Sequence, residues 1–183
     1  ATEYLVKFVP VAILIEKNQF KQRKLNMKIL GIGNAIVDVI CKVEDDFLSK
    51  NNLTKSTMKL IFDDKEFKSL FSSLKIEKTV SGGSVANSIV GLSQLGNEVG
   101  FIGKVSDDDL GSKYEEGLKQ ENVKYFYSKK KEDLPTGTCL ILVTPDSERT
   151  MCTFLGTAGK IKENDVSADA IKQSEIIFLE GYL

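Results

Sequence analysis

The sequence predicts an α/β fold built on a mostly parallel sheet. After Met27, short apolar runs typical of β-strands alternate with amphipathic stretches typical of helices, which is the pattern of successive βαβ units. Residues 36–62 and 138–155 break this alternation because both segments are rich in strand-forming side chains. We expect these two segments to form a small separate sheet beside the main α/β body.

The individual elements follow from periodicity and from capping residues. Each predicted strand is a short apolar or β-branched run, and each predicted helix has apolar residues at a spacing of three or four. Asp63 is placed to cap one helix, Gly96 is placed to end another, and residues 145–147 separate the strands of a hairpin. Predicted strands occupy residues 28–33, 36–43, 57–62, 77–80, 99–105, 138–144, 150–155 and 175–179, and predicted helices occupy 45–50, 63–74, 84–95, 109–120 and 168–173.

The composition is that of an ordinary globular protein. Of 183 residues, 42% are hydrophobic and 28% are charged, so the chain is long enough to bury a hydrophobic core. The formal net charge is -1, with 25 Lys+Arg against 26 Asp+Glu mixed along the chain. Without a basic stripe, neither nucleic acid nor a membrane is an expected partner. A neutral or mildly anionic small molecule is compatible with this charge.

Histidine and cysteine usage narrows the chemistry. The chain contains no histidine, which excludes Ser-His-Asp and Cys-His catalysis within it and every zinc site that uses histidine. Cys41, Cys139 and Cys152 lie far apart and form no Cys-x-x-Cys pair. We interpret them as reduced, buried thiols of a cytoplasmic protein.

Residues 1–26 differ from the rest of the chain. Residues 4–15 are apolar apart from Lys7 and Pro10, but a membrane-spanning helix needs about 20 such residues. The positive charge follows the apolar run, whereas a signal peptide carries it in front. We interpret residues 1–26 as an artefact or an upstream extension that need not be ordered, with Met27 as the natural start of the domain. Without a targeting signal, the expected location is the cytoplasm.

The first motif with chemical meaning is Gly-Ile-Gly-Asn-Ala-Ile-Val-Asp at residues 31–38. Glycines at the end of a strand let the backbone approach a ligand, and Asn34 and Asp38 would face the same opening. A carboxylate accepts two hydroxyl hydrogen bonds and a carboxamide both donates and accepts, so together they suit a vicinal diol. A strand followed by a polar turn explains the motif equally well. The spacing does not match the dinucleotide-binding fingerprint.

The second motif is Ser-Gly-Gly-Ser-Val-Ala-Asn at residues 81–87. Gly82 and Gly83 lead into a helix, where free backbone N–H groups and the helix dipole favour a polar or anionic ligand. Asn87 lies on the same helix face as Ser84, one turn later. A glycine turn with an N-cap serine is the alternative, but it leaves a polar Asn87 in an otherwise apolar helix unexplained. No Gly-Lys-[Ser/Thr] follows, so this is not a Walker phosphate loop.

Two further acidic positions have more than one interpretation. Residues 103–111, Gly-Lys-Val-Ser-Asp-Asp-Asp-Leu-Gly, do not have the spacing of an EF-hand calcium loop. Asp108 or Asp109 is therefore expected to cap a helix or to place a negative charge in its first turn, and no metal site is predicted. Glu180 follows an apolar strand and either faces the same cleft or is a solvated acid at a strand end.

Taken together, these motifs resemble one family. The segments at residues 81–88 and 103–111, with Leu95-Gly96 between them, are similar to the N-terminal signature of the PfkB or ribokinase-like carbohydrate and nucleoside kinases. Residues 31–38 match the opening strand of that family. Residues 139–151 and 178–183 look closest to bacterial members described as adenosine kinases or sugar kinases. The resemblance runs from Met27 to Leu183 without a gap.

The resemblance implies a ribokinase-like, three-layer α/β/α fold with a small β lid, of which this chain is the truncated N-terminal part. In this family the lid closes over the substrate and often pairs with a second subunit, which implies a homodimer through residues 36–62 and 138–155. The positions that match the family's substrate-binding residues are Asn34, Asp38, Gly82, Gly83, Ser84, Asn87 and Glu180.

The implied activity is transfer of the γ-phosphate of ATP, with Mg²⁺, to a sugar hydroxyl. The resemblance favours a nucleoside acceptor, adenosine first, over a free sugar. The family's catalytic aspartate in a Gly-Ala-Gly-Asp motif and its Asn-x-x-Glu motif do not occur in the 183 residues. We therefore expect no catalytic residue in this chain and no turnover by it alone. The alternative is a non-catalytic remnant, or a module that binds or dimerises through its lid.

Overall fold

The computed structural model of the chain describes residues 13–16 and 27–180. The expectation for residues 1–26 therefore lies outside the described residues, apart from one short strand. The helices, all at their predicted positions, are α1 (Asp45–Lys50), α2 (Asp64–Ser72), α3 (Ser84–Gln94), α4 (Asp109–Gln120) and α5 (Ala168–Gln173), with 3₁₀ turns at Ala158–Lys160 and Glu163–Asp165. The strands are β1 (Ile13–Glu16), β2 (Met27–Ile32), β3 (Ile36–Lys42), β4 (Met58–Ile61), β5 (Ile76–Gly82), β6 (Val99–Ile102), β7 (Lys124–Tyr125), β8 (Gly137–Val143), β9 (Arg149–Phe154) and β10 (Ser174–Leu179).

The described strands form two sheets. In the central sheet the order is β1-β10-β2-β6-β7, and β10, β2, β6 and β7 run parallel. Strand β1 is antiparallel to β10 and lies at the edge. The carboxyl ends of β2, β6 and β10 therefore meet at one edge of the sheet, which is where open α/β sheets bind ligands.

Helices cover both faces of the central sheet. Alternation along β2 directs Ile29 into the cluster that contains Ile89 of α3, whereas Leu30 joins a second cluster with Ala170 of α5. This is a three-layer α/β/α arrangement, as expected from the alternation of elements.

The second sheet has the strand order β4-β9-β8-β3-β5. Strands β8 and β9 form the predicted antiparallel hairpin, β3 lies parallel to β8, and β4 lies parallel to β9. Residues 36–62 and 138–155 thus contribute to one separate sheet, as the sequence predicts. Strand β5 also belongs to it, antiparallel to β3, which the sequence pattern does not predict.

The glycines at the end of β2 have a different role from the predicted one. A Cβ at Gly31 would lie 2.5 Å from Ile89, and a Cβ at Gly33 would lie 2.8 Å from Val85, both on α3. These two positions therefore let α3 pack against β2, and the space beside them is filled by the helix. The expectation that Gly31 and Gly33 let the backbone approach a ligand is therefore wrong on the side of β2 that faces α3.

The state of the cysteines and the absence of an apolar spanning segment were both predicted from the sequence. Cys41, Cys139 and Cys152 are free and buried, as predicted. Among the described residues, no helix combines the length and the apolar character that crossing a bilayer requires.

Candidate functional site

Asp38 is positioned by the alternation of β3. Its neighbours Val37 and Val39 are fully buried in the main core, so Asp38 projects from the opposite face of the second sheet. Asp38 pairs in register with Val80 on β5 and with Cys139 on β8. The carboxylate is therefore held within a sheet face whose immediate neighbours are not charged.

The carboxylate of Asp38 is partly desolvated and open to a ligand. Burial raises its pKa to about 6. Among the described residues, no hydrogen bond or ion pair lowers this pKa, since burial is its only cause of shift. A partly buried acid whose pKa is raised by burial alone is characteristic of functional sites. Both of its oxygens can accept hydrogen bonds from a bound hydroxyl pair.

The glycine pair lies directly against Asp38 and Asn34. A Cβ at Gly82 would overlap the carboxylate of Asp38, so only glycine leaves that carboxylate in place. Gly83 has φ +97 and a Cβ there would overlap the backbone carbonyl of Asn34. The turn into α3 therefore packs on the start of β3, and this packing brings four of the predicted residues together.

Tyr114 on α4 holds this turn from the core side. Its side chain is fully buried, and its hydroxyl donates a hydrogen bond to the carbonyl of Gly82 at 3.2 Å. Burial raises the pKa of Tyr114 well above its usual value, so the hydroxyl stays protonated and remains a donor. This contact cannot be predicted from local patterns, because Tyr114 looks like any other residue on the apolar face of α4.

We expect Tyr114→Phe to lower the free energy of unfolding by about 1 kcal/mol, because the buried carbonyl of Gly82 loses its donor while the ring packing stays. For a chain of this size the melting temperature should fall by roughly 2–4 °C, measured by calorimetry. An unchanged melting temperature would show that the hydroxyl does not stabilise the turn.

Ser84 and Glu180 join the glycine turn to the central sheet. The Ser84 hydroxyl donates a hydrogen bond to the carboxylate of Glu180, which follows β10. Burial raises the pKa of Glu180. Glu180 thus faces the first turn of α3, and its place in a substrate cleft stays a prediction. The N-cap of α3 is Gly83 rather than a serine, so the alternative of an N-cap serine is wrong.

Asn87 lies one turn further along α3. Its backbone N–H donates to the carbonyl of Gly83 at 2.8 Å, and its side chain is exposed. Asn87 lines a cavity of about 600 Å³ together with residues of β5 and α4, among them Val80 and Ser81. Val80 is also the cross-strand neighbour of Asp38. Ser81, however, pairs in register with Val37 and packs against Gly117 of α4, on the face of the second sheet opposite to Asp38. The structure therefore shows no contact between Asn87 and the Asp38 carboxylate.

Residues 28–183 match the family described as pfkB family carbohydrate kinase. The chain belongs to this family. Among curated relatives, this PfkB chain is 27% identical over 142 residues to a 5-dehydro-2-deoxygluconokinase of Mesomycoplasma hyopneumoniae, covering 76% of the chain and 40% of the relative. It is 28% identical over 159 residues to adenosine kinase 2 of Arabidopsis thaliana, covering 80% of the chain and 42% of the relative.

Solved structures of a probable sugar kinase and of an adenosine kinase have the same fold. A probable sugar kinase from Rhizobium etli CFN 42 superposes with a TM-score of 0.72 at 34% identity, covering 82% of this chain and 45% of that one. Adenosine kinase from Sinorhizobium meliloti gives a TM-score of 0.71 at 36% identity, covering 81% and 45%. The predicted ribokinase-like α/β fold is confirmed. This PfkB chain spans less than half the length of these relatives.

Asp108 in the PfkB signature is a structural residue. Its carboxylate accepts from the N–H of Gly111 at 2.7 Å, which makes it the predicted N-cap of α4. It also accepts from the N–H of Thr136 at 2.9 Å and from the Thr136 hydroxyl at 2.7 Å. These donors occupy both oxygens, so Asp108 joins α4 to the start of β8.

Lys104, in the same signature, was not singled out by sequence analysis. It is only 5% exposed and forms ion pairs with Asp165 at 3.0 Å and Glu132 at 3.2 Å. A lysine two residues after a buried strand signals the need for an acidic partner. Its two acidic partners come from segments about 30 and 60 residues later in the chain, so their identity could not be predicted from the sequence.

Cys139 is more than a core thiol, because it adjoins Asp38. The hydroxyl of Thr153 donates to its sulfur at 3.3 Å, and burial raises the pKa of the thiol to about 11. Cys139 therefore stays protonated at neutral pH and presents a weakly polar surface next to the carboxylate.

Proposed function

We propose that this chain is the substrate-binding part of an ATP-dependent kinase that phosphorylates a hydroxyl of a nucleoside, adenosine first, or of a sugar. The observation that carries the proposal is the Asp38 carboxylate, which is partly desolvated, has no cationic or hydrogen-bonding partner among the described residues, and lies against Gly82. A carboxylate in that environment gains most from two hydroxyl donors on one ligand.

The remaining predicted residues complete the proposed acceptor site. Asn34 lies at the entry to β3 beside Gly83, where its amide would hydrogen-bond to the same sugar ring. Gly83 and Ser84 begin α3 and present backbone N–H groups at the positive end of the helix. Asn87, one turn further along α3, would contact the ligand through its exposed amide.

The surface around Asp38 favours a nucleoside over a free sugar. Residues paired in register lie on one face of a sheet, and this places Cys139 and Leu60 in the same row as Asp38. The next row contains Met151 and Met58, which are 38% and 52% exposed. A nucleobase would cover such an apolar surface, whereas a free sugar would leave it in water. We propose that this second sheet is the lid of the acceptor site.

The same apolar face could instead pack against a second copy of the chain. This is the contact that the predicted homodimer through the lid requires. The two occupants are distinguishable by size-exclusion chromatography coupled to light scattering. A dimer that dissociates when adenosine is added would show that ligand and second copy compete for this face.

The described residues provide acceptor binding and no phosphoryl-transfer apparatus. Within residues 27–180, no three potential metal ligands come together, so we assign Mg²⁺ to no residue of this chain. ATP use follows from the family, and Mg²⁺ would neutralise phosphate charge in the usual way of phosphoryl transfer. We propose that the catalytic base and the anion hole come from sequence outside these 183 residues.

The proposal is tested by titrating the chain with adenosine, guanosine, ribose and fructose in a calorimeter and by assaying ATP turnover. We expect adenosine to bind with the highest affinity and ATP turnover by this chain to be undetectable. Failure of all four compounds to bind would overturn the proposal. Rapid phosphorylation of adenosine by this exact chain would overturn the assignment of catalytic groups to sequence outside it.

The pH dependence of binding gives a second check. If the ionised Asp38 accepts the hydroxyl hydrogen bonds, affinity is constant well above pH 6 and is lost as Asp38 is protonated below it. The dissociation constant should therefore rise about tenfold between pH 7.5 and pH 5, as measured by calorimetry. An affinity that is the same at pH 5 and pH 7.5 would exclude the carboxylate as the acceptor.

A further inference from the structure

We infer that the acceptor site selects uncharged ligands, and that Glu180 is the residue that excludes anionic ones. The inference rests on the proposed function and deepens it, because it divides the possible acceptors by charge. It assigns Glu180 a role in specificity that differs from hydrogen bonding to a hydroxyl.

Two carboxylates flank the glycine turn. The carboxylate of Asp38 lies against Gly82, and the carboxylate of Glu180 accepts the hydroxyl hydrogen bond of Ser84. Gly82 and Ser84 are separated by one residue, so their Cα atoms are no more than about 7 Å apart. A ligand that binds at this turn is therefore close to both acids.

Among residues 13–16 and 27–180, the structure shows no cation paired with either acid. Burial is the only cause that shifts either pKa, and a neighbouring lysine or arginine would have lowered them. Lys104, which follows β6 at the same edge of the sheet, is paired with Asp165 and Glu132. Lys78 shares a sheet face with Asp38 but pairs in register with Ile40, and its side chain is exposed.

The position that would attract an anion is already occupied. The first turn of a helix has free N–H groups and a partial positive charge, which favour a ligand's carboxylate or phosphate. At α3, the carboxylate of Glu180 lies at that turn through its hydrogen bond with Ser84. A second anion would meet like charge in a partly desolvated space, which disfavours its binding.

The test uses two ligands that differ by one charge, adenosine 5′-carboxamide and adenosine 5′-carboxylate, with adenosine as the reference. We expect the wild-type chain to bind the carboxamide on the order of 100-fold more tightly than the carboxylate at low salt. Since charge is the cause, raising the ionic strength should narrow this ratio.

Single-residue variants test whether Glu180 causes the preference for the carboxamide over the carboxylate. Glu180→Gln should narrow the ratio about tenfold, because it removes one of the two negative charges. Glu98→Gln is the matched control, since exposed Glu98 precedes β6 at the opposite edge of the sheet and should leave the ratio unchanged. Ser84→Ala removes the hydrogen bond that holds the Glu180 carboxylate at the turn, so it should also narrow the ratio, and it serves as the second variant if Glu180→Gln fails to fold.

The outcomes separate this inference from the proposed function. If the wild-type chain binds neither adenosine nor its carboxamide, the proposed function fails and the inference fails with it. If the wild-type chain binds the carboxamide and the carboxylate within about threefold, only the inference is overturned. If Glu180→Gln and Glu98→Gln change the ratio equally, selection by charge stands but its assignment to Glu180 is wrong.

Discussion

Asp38→Asn is expected to weaken binding of a ribonucleoside at least about 100-fold at pH 7.5, because each hydrogen bond from a hydroxyl to the ionised carboxylate contributes roughly 1.5–3 kcal/mol. The asparagine has nearly the same size, so the packing against Gly82 is retained. Calorimetric titration with adenosine measures the loss. Asp133→Asn, at an exposed loop position, is the matched control and should bind as the wild type does.

The same variant is expected to be more stable than the wild type at pH 8. The pKa of Asp38 is raised from 3.8 to about 6 in the folded chain, so ionisation above pH 6 favours the unfolded state. After a discount for the exposed part of the side chain, we expect Asp38→Asn to gain about 1–2 kcal/mol at pH 8.

The sign of this effect with pH is the decisive feature. The gain in stability should be present at pH 8, decline as the pH falls through 6, and vanish below pH 4, where the wild-type carboxyl is protonated in both states. Melting temperatures at several pH values measure it. A variant that is destabilised at pH 8 would show that the carboxylate has an internal partner, contrary to the proposed acceptor site.

Gly83→Ala is expected to lower the free energy of unfolding by about 3 kcal/mol. Alanine at φ +97 is strained, and its Cβ would overlap the carbonyl of Asn34, so the turn must move away from β3. The melting temperature should fall by roughly 6–12 °C. Binding of adenosine should weaken as well, because both Asn34 and the turn belong to the proposed site.

Gly96→Ala separates the cost of backbone strain from the cost of steric overlap. Gly96 also has a positive φ, +84, but a Cβ there meets open space. This control carries only the backbone strain, about 1–2 kcal/mol, and should leave binding unchanged. Equal losses of stability in the two variants would show that the contact between Gly83 and Asn34 is not tight.

Much of the fold could be predicted from local patterns. The helices were found because apolar spacing and caps such as Asp63 and Asp108 are local signals, and both side chains accept the expected backbone N–H. The hairpin of β8 and β9 was found for the same reason. The place of β5 in the second sheet could not be predicted, because a strand of its composition fits either sheet. Its antiparallel partner β3 lies about 40 residues earlier in the chain, so no local signal links the two strands.

In the candidate site too, local motifs were predictable and contacts between distant residues were not. Asn34, Asp38, Gly82 and Gly83 were predicted from two motifs, and the structure brings them together. The sequence did not reveal that Gly31 and Gly33 serve helix packing, because a glycine beside a ligand and a glycine beside a helix look alike in sequence. Tyr114 and Cys139 were missed for a related reason, since only the folded chain shows which buried side chains lie under or beside a polar group.

The claim that a vicinal diol binds at Asp38 is tested most directly by comparing adenosine with 2′,3′-dideoxyadenosine in one calorimetric titration of the wild-type chain. The account predicts that adenosine binds at least about 100-fold more tightly, because only its two hydroxyls can donate to the Asp38 carboxylate. Equal affinities would contradict the account, since binding would then depend on the base alone and Asp38 would have no part in it.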